Sequence, residues 1–269
     1  MSRITLAIVQ FPREGEPLHE SARKMAGYLK EAPETTDIIL LPEGWLGGPA
    51  PIEWEKYQEI MFSLLDRLPN PSALVVSGAQ YVKTDSRDSC LTARGMFLRQ
   101  GWKTPVVFEK LFPSQAIGER QFIQPGHRLP VIEHKGIIIG AAVCVDLFYP
   151  EIVRSLALRG ASLVVNPANI PANRIPLWQH LGVARACENT IFVAMANNTH
   201  TRYPDSREIM GESFVAYPNG FTLVSFGKEP GVYSAELDLG LISQVRQRWP
   251  YLEDIRQRGK EIVSASQCL

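Results

Sequence analysis

The chain has 269 residues, 45% of them apolar, and a formal net charge of zero with acids and bases interspersed. That balance gives no electrostatic footprint for nucleic acid or an anionic membrane, and no apolar stretch is long enough to span a bilayer. The four cysteines, Cys90, Cys144, Cys187 and Cys268, are far apart and show neither zinc-ligand nor redox spacing. No metal or organic cofactor is implied, and a reduced, cytoplasmic protein is the natural reading.

In chain order, short β-rich runs alternate with amphipathic segments. The first run ends at Gln10 and has no small-residue cleavage site, so it reads as a strand and not a signal peptide. Strands are predicted over 5–10, 37–41, 73–80, 92–99, 104–108, 136–143, 162–166, 190–197, 213–217, 222–225 and 231–237. Helices are predicted over 18–31, 52–68, 149–159, 177–189 and 239–248. Gly47-Gly48-Pro49, Pro69-Asn70-Pro71, Pro125-Gly126 and Pro218-Asn219-Gly220 are turn signals between them. Runs such as Ile38 to Leu41, Ile137 to Val143 and Ile191 to Ala196 are apolar on both faces and need covering on both sides. The late strands without intervening helices suggest a second sheet. A four-layer α-β-β-α sandwich follows. No composition break marks a linker, so residues 1–269 read as one domain.

Three of these runs end on reactive side chains. Glu43 follows Ile38-Ile39-Leu40-Leu41-Pro42, Lys110 follows Val106-Val107-Phe108-Glu109, and Cys144 closes the run from Ile137. A thiol where a strand gives way to a helix faces a ligand, although a lone cysteine in an apolar run is more often a small buried hydrophobe. Cys187 lies in a helical segment and reads as core. A cysteine nucleophile needs a base. Among the histidines, His19 and His134 fall in polar contexts, His127 in a turn, His180 on a helix face and His200 after a strand end. Glu43 is better placed, because its apolar and aromatic flanks oppose free solvation and raise a carboxyl toward general-base range. Lys110 alone would pass for a surface lysine.

Together, Leu41-Pro42-Glu43, Glu109-Lys110-Leu111-Phe112 and Val143-Cys144-Val145-Asp146 resemble, in order and spacing, the glutamate, lysine and cysteine motifs of the nitrilase superfamily, the carbon–nitrogen hydrolases. Further segments extend the resemblance nearly end to end: Glu119 with Phe122 and Pro125-Gly126; Asn166-Pro167-Ala168; Trp178 and Ala184 to Asn189; Gly211-Glu212-Ser213 and Pro218-Asn219-Gly220. The resemblance implies the same α-β-β-α fold and a small-molecule amide as substrate. It implies Glu43 as base, Cys144 as nucleophile and Lys110 as stabilising cation, with Glu119 in support. Val145, Phe148 and Asn169 are assigned to the substrate pocket, Val145 through its backbone N–H. A homodimer or higher homo-oligomer pairing through outer helices, 149–159 and 177–189, is also implied. Asp146 reads as structural. Nitrile hydrolysis, N-carbamoyl amide hydrolysis, acyl transfer and a non-catalytic scaffold are the alternatives.

Many family members carry arginines shortly after the nucleophile's aspartate, where this chain has Leu147, Phe148 and Tyr149. A wall of that kind favours a neutral acyl group, unless Arg174, Arg202 or Arg207 supplies a charge from elsewhere.

Overall fold

The computed structural model describes residues 3–47, 50–83 and 91–265. Gly48 and Pro49 of the first turn signal, Cys90 and Cys268 lie outside the described residues.

The chain opens with β1 (Arg3–Pro12), α1 (Leu18–Lys30), β2 (Ile38–Leu40), β3 (Ile52–Glu53), α2 (Trp54–Leu65), β4 (Leu74–Lys83), β5 (Leu91–Leu98), β6 (Val106–Glu109) and β7 (Ile123–Gln124). A second group follows: β8 (Val131–His134), β9 (Ile137–Ala141), α3 (Pro150–Leu158), β10 (Leu163–Pro167), α4 (Ile175–Asn189) and β11 (Phe192–Ala196). Next come β12 (Asn198–Thr199), β13 (Thr201–Arg202), β14 (Glu208–Ile209), β15 (Phe214–Ala216), β16 (Leu223–Ser225), β17 (Gly231–Asp238), α5 (Leu239–Arg248) and α6 (Tyr251–Ala265).

The strands form two large sheets. One runs β12-β1-β2-β4-β5-β6, with β17 also on β1, and the other runs β16-β15-β11-β10-β9-β8. Side-chain alternation assigns the layers. Along β1, Ile4, Leu6 and Ile8 join the core shared with the second sheet. Ala7, Val9 and Phe11 pack instead with Met25 and Leu29 of α1 and Tyr57 and Met61 of α2. β2 divides the same way, Ile38 and Leu40 inward and Ile39 outward. The second sheet is covered by Ile152, Val153 and Leu156 of α3 and by Trp178 and Ala186 of α4. The layers are therefore helix, sheet, sheet, helix, as expected.

Several expected bounds shift. The run from 136 leaves the sheet at Ala141, and a 3-10 turn, Cys144–Phe148, precedes α3. Thr190, taken as a strand start, is the left-handed C-cap of α4 at φ 51°. Helix α6 was not predicted at all; it is amphipathic but predominantly polar in composition, and it sends Leu252 into the core.

The topology positions the site. β1 is parallel to β2 and β12, and β2 to β4. In the other sheet β9, β10 and β11 are mutually parallel neighbours. Ligands in such sheets gather beyond the carboxyl ends of the strands. Those ends carry Arg13 and Glu43 from one sheet, and Cys144, Asn169 and Asn197 from the other. Asn197 is also where the chain steps from β11 into β12, and so from one sheet to the other. Its side chain accepts from Ile170 N–H at 2.7 Å and donates to the carbonyls of Ile170 and Gly211.

Candidate active site

Glu43 leaves β2 through Pro42 and is pinned by its backbone. Its N–H donates to Ala168 O at 3.2 Å, and its carbonyl accepts from Asn198 Nδ2 at 2.7 Å. Beside it, β4 bulges between Val76 and Ala79. Gly78 there has φ +76°, and a Cβ on it would sit 2.1 Å from Pro42 O, so this close approach needs glycine.

Lys110 follows β6. Its N–H donates to Ala93 O at 2.9 Å and its carbonyl accepts from Gly126 N–H at 2.9 Å. The next two N–H groups, of Leu111 and Phe112, both donate to the Asp146 carboxylate at 2.9 Å. Asp146 thus ties the lysine's loop to the cysteine's turn, as its structural reading anticipated. Burial pushes the Asp146 carboxyl up to about 7, against the pull of those two N–H groups.

Inside the molecule, Lys110 Nζ donates to Glu43 Oε1 at 2.9 Å and to Glu119 Oε1 at 2.7 Å, and the lysine is fully buried. Glu119 also accepts from Tyr81 Oη at 2.6 Å and from the Ser114 N–H. Burial lowers the Lys110 pKa, but Glu43, Cys144 and Glu119 more than offset it, so the ammonium is held well above its ordinary value. Burial raises the Glu43 carboxyl; Lys110 pulls it down and Glu119 pushes it up, and the net shift is upward.

Cys144 begins its 3-10 turn at φ 48°, a left-handed conformation that is uncommon outside glycine. Neighbouring groups hold that turn. Asn166 Nδ2 donates to the carbonyls of Ala142 and Cys144 at 2.6 and 3.1 Å. From α4, the Arg185 guanidinium donates to the carbonyls of Leu147 and Phe148 at 3.0 and 2.9 Å. The Glu43 carboxyl and the Asn169 backbone N–H both lie close enough to the thiol to act on its ionisation. Burial pushes the thiol well above its ordinary value, and Glu43 adds to this while Lys110 opposes it. A thiol held above its ordinary value is protonated at neutral pH, with the Glu43 carboxyl and the Lys110 ammonium as its charged neighbours.

A cavity of about 900 Å³ opens next to Glu43, within the range of small-molecule sites. Asn169, Tyr81, Ile117 and Phe122 form part of its wall. The small β13–β14 hairpin forms another, bringing Arg202, Tyr203 and Arg207. Arg13, from the end of β1, completes it. Among the described residues, no histidine lines this cavity and no group of His, Cys, Asp or Glu is arranged to hold a metal.

The structure thus brings Glu43, Lys110, Glu119, Cys144 and Asn169 together. It does not use the Leu147–Tyr149 segment as a pocket wall. Leu147 is fully buried, Phe148 meets Trp178 edge-to-face at 4.9 Å, and Tyr149 stacks on Phe112 at 4.0 Å. Val145 is half-buried, and neither its side chain nor that of Phe148 lines the cavity. The neutral wall expected of this segment is corrected accordingly: these side chains serve packing, because the 3-10 turn directs them at α4 and the lysine loop. Arg202 and Arg207 do reach the cavity. Arg13, Tyr81 and Tyr203 were missed by sequence reasoning. Arg13 follows a strand end as Glu43 and Cys144 do, but the apolar run of that strand stops earlier, at Gln10, so no apolar run points to it.

This fold is that of a known family. The carbon–nitrogen hydrolase family model matches residues 5–247, and the chain belongs to that family. It is similar to a 2-oxoglutaramate amidase of Paenarthrobacter nicotinovorans, 28% identical over 98% of this chain and 95% of the relative. It is likewise similar to a 2-oxoglutaramate amidase of Bacillus subtilis (strain 168), 26% identical over 94% of this chain and 98% of the relative. A solved Saccharomyces cerevisiae member of branch 10 of the nitrilase superfamily shares the fold, with a TM-score of 0.80 at 21% identity, covering 92% of this chain and 94% of that one.

Proposed function

We propose that the protein hydrolyses the carbon–nitrogen bond of a small amide through a thioester on Cys144, with Glu43 as general base and Lys110 as stabilising cation. The observation that carries this reading is one ammonium, Lys110 Nζ, bound to both Glu43 and Glu119 close to a buried cysteine with a left-handed backbone. A protonated thiol needs a base, and a carboxylate raised by burial is suited to that role.

In this mechanism Glu43 takes the thiol proton as Sγ attacks the amide carbon. The carbonyl oxygen becomes anionic. An ammonium has three N–H donors, and Lys110 commits two of them to carboxylates. The third, with the Val145 backbone N–H at the head of the turn, serves the oxyanion. The protonated Glu43 passes its proton to the leaving nitrogen as the carbon–nitrogen bond breaks. Glu43 then deprotonates a water that attacks the thioester, and the carboxylic acid leaves as the thiol reforms.

Both relatives are 2-oxoglutaramate amidases, which supports an amide over a nitrile or an N-carbamoyl compound as the scissile group. Among the described residues no helix is long and apolar enough to cross a membrane. Free Cys144 and Cys187 support a reduced, cytoplasmic setting. A homodimer through the outer helices α3 and α4 is part of the same proposal.

Ammonia release from a panel of small amides is the test. Cys144→Ala, Glu43→Gln and Lys110→Ala should each abolish it while the far-ultraviolet circular dichroism is retained, and a double variant should be little worse than the singles. Near-normal turnover by Cys144→Ala or Glu43→Gln would remove the nucleophile or the base, respectively.

A further inference from the structure

Tyr81 stands between the cavity and the buried charges. Its ring is part of the cavity wall, and Glu119 lies behind it, fully buried. The first sheet sets up that placement. Beyond the bulge in β4, Ala79 and Tyr81 alternate onto the cavity side of the strand. Tyr81 pairs with Ala93 of β5, and the Ala93 carbonyl accepts the Lys110 N–H at 2.9 Å. Tyr81, Ala93 and Lys110 therefore form one row across the sheet, with their side chains on one face. Neighbouring strands lie about 4.8 Å apart, so the two outer residues start roughly 10 Å apart with only a methyl group between them. Both side chains are long enough to lean over it, and they converge on one atom. Tyr81 Oη donates to Glu119 Oε1 at 2.6 Å, and Lys110 Nζ donates to the same oxygen at 2.7 Å.

A carboxylate oxygen offers two lone-pair directions. With Tyr81 on one of them, Lys110 is confined to the other, while the Ser114 N–H holds Glu119 Oε2. Glu119 cannot turn, so the ammonium it shares with Glu43 cannot turn either. Two fixed bonds of an ammonium fix the direction of its third N–H. The tyrosine is itself held, since Phe122 packs edge-to-face on its ring at 5.7 Å. Burial raises the hydroxyl far above its ordinary value, with Lys110 opposing and Glu119 and Glu43 adding to it. The group therefore remains a donor over the whole working range.

We infer that Tyr81 is a positioning residue: through Glu119 it aims the Lys110 ammonium at the oxyanion, its hydroxyl proton being committed to that carboxylate and not to the substrate. The inference rests on the hydrolase reading above and deepens it.

Tyr81→Phe removes the hydroxyl and keeps the ring. It should lower kcat for the best amide of the panel by about 10- to 100-fold, as a misplaced catalytic group does, while KM changes by less than about 3-fold. The decisive measurement is a double-mutant cycle with Glu119→Gln. Because Tyr81 acts through the Glu119 carboxylate, Tyr81→Phe should cost no more than about 3-fold in kcat in the Glu119→Gln background. A merely structural loss would cost the same in both backgrounds. Wild-type kcat in Tyr81→Phe, a loss carried by KM, or an equal loss in both backgrounds overturns the inference. A second arm needs no turnover: the rate of Cys144 alkylation by chloroacetamide, since Lys110 is the cation that favours the thiolate. Tyr81→Phe should slow it by about 5-fold or more with Glu119 present and leave it unchanged in the Glu119→Gln background. If the wild type hydrolyses no amide, the hydrolase reading fails and this second cycle alone decides the role of Tyr81. Equal slowing in both backgrounds, or none, overturns it.

Discussion

Glu119 offers the sharpest test of how the buried charges work together. Glu43 and Glu119 bind the same ammonium, their Oε1 atoms 2.9 Å and 2.7 Å from Lys110 Nζ, which puts those oxygens at most about 5.6 Å apart. Two like charges at that spacing repel by about 3 kcal/mol at an effective dielectric constant near 20, or about 2 pKa units. Glu119 therefore adds to the burial that already raises the Glu43 carboxyl. Glu119→Gln removes the repulsion and nearly preserves volume. With residue 119 neutral, Glu43 ionises at lower pH, so the acid limb of kcat/KM, which reports the free enzyme's base, should move down by about 1–2 units. The plateau should fall too, because Lys110 loses a charged acceptor worth about 1.5–3 kcal/mol.

Two assays read the same shift. One is ammonia release at subsaturating amide from pH 4 to 9. The other is alkylation of Cys144 by the neutral reagent chloroacetamide, followed by mass spectrometry so that modification of Cys187 is counted separately. The thiol itself titrates well above its ordinary value, so alkylation in this range should follow the ionisation of Glu43. An acid limb that stays put or moves upward in Glu119→Gln would refute the coupling between the two carboxylates, and with it the account of how Glu43 is tuned.

Two further outcomes are expected. Asp146→Asn turns one of two backbone N–H acceptors into a donor, for Leu111 or Phe112; it should cost about 1–3 kcal/mol, lower Tm by about 2–5 °C and reduce turnover by loosening Lys110, and an unchanged Tm would argue against the tie. Light scattering at micromolar protein should give the mass of a two-fold dimer, the commonest closed assembly, and a monomer mass would remove the proposed helix-face contact.

Much of the fold was legible because alternation and two-faced apolar runs are local. The strands over 5–10 and 37–41 lie within or around β1 and β2, and their burial on both faces is what calls for four layers. Less was legible where a helix is predominantly polar, as in α6, or where a backbone device intervenes, as with the left-handed Cys144 and its 3-10 turn. The supporting contacts of the site were not readable either. Asn198 on Glu43, Arg185 on Leu147 and Asp146 on the lysine loop are pairings across 155, 38 and at least 34 residues.

The same geometry explains why the substrate wall was sought in the wrong place. Neighbours of a nucleophile in sequence need not be its neighbours in the site. At the carboxyl end of a parallel strand the chain turns at once, and the residues that follow Cys144 become the packing of that turn. The wall is supplied by other strand ends: Arg13 after β1, Glu43 after β2, Asn169 after β10 and the hairpin after β12. Every one of these departs from a strand in the same parallel arrangement, so all open onto one side of the two sheets. Arg13 joins them only because β1 runs on to Pro12, beyond the Gln10 at which its apolar run ends in the sequence. What sequence alone does not supply is its burial, 8% exposed with Nη1 on the Gly44 carbonyl.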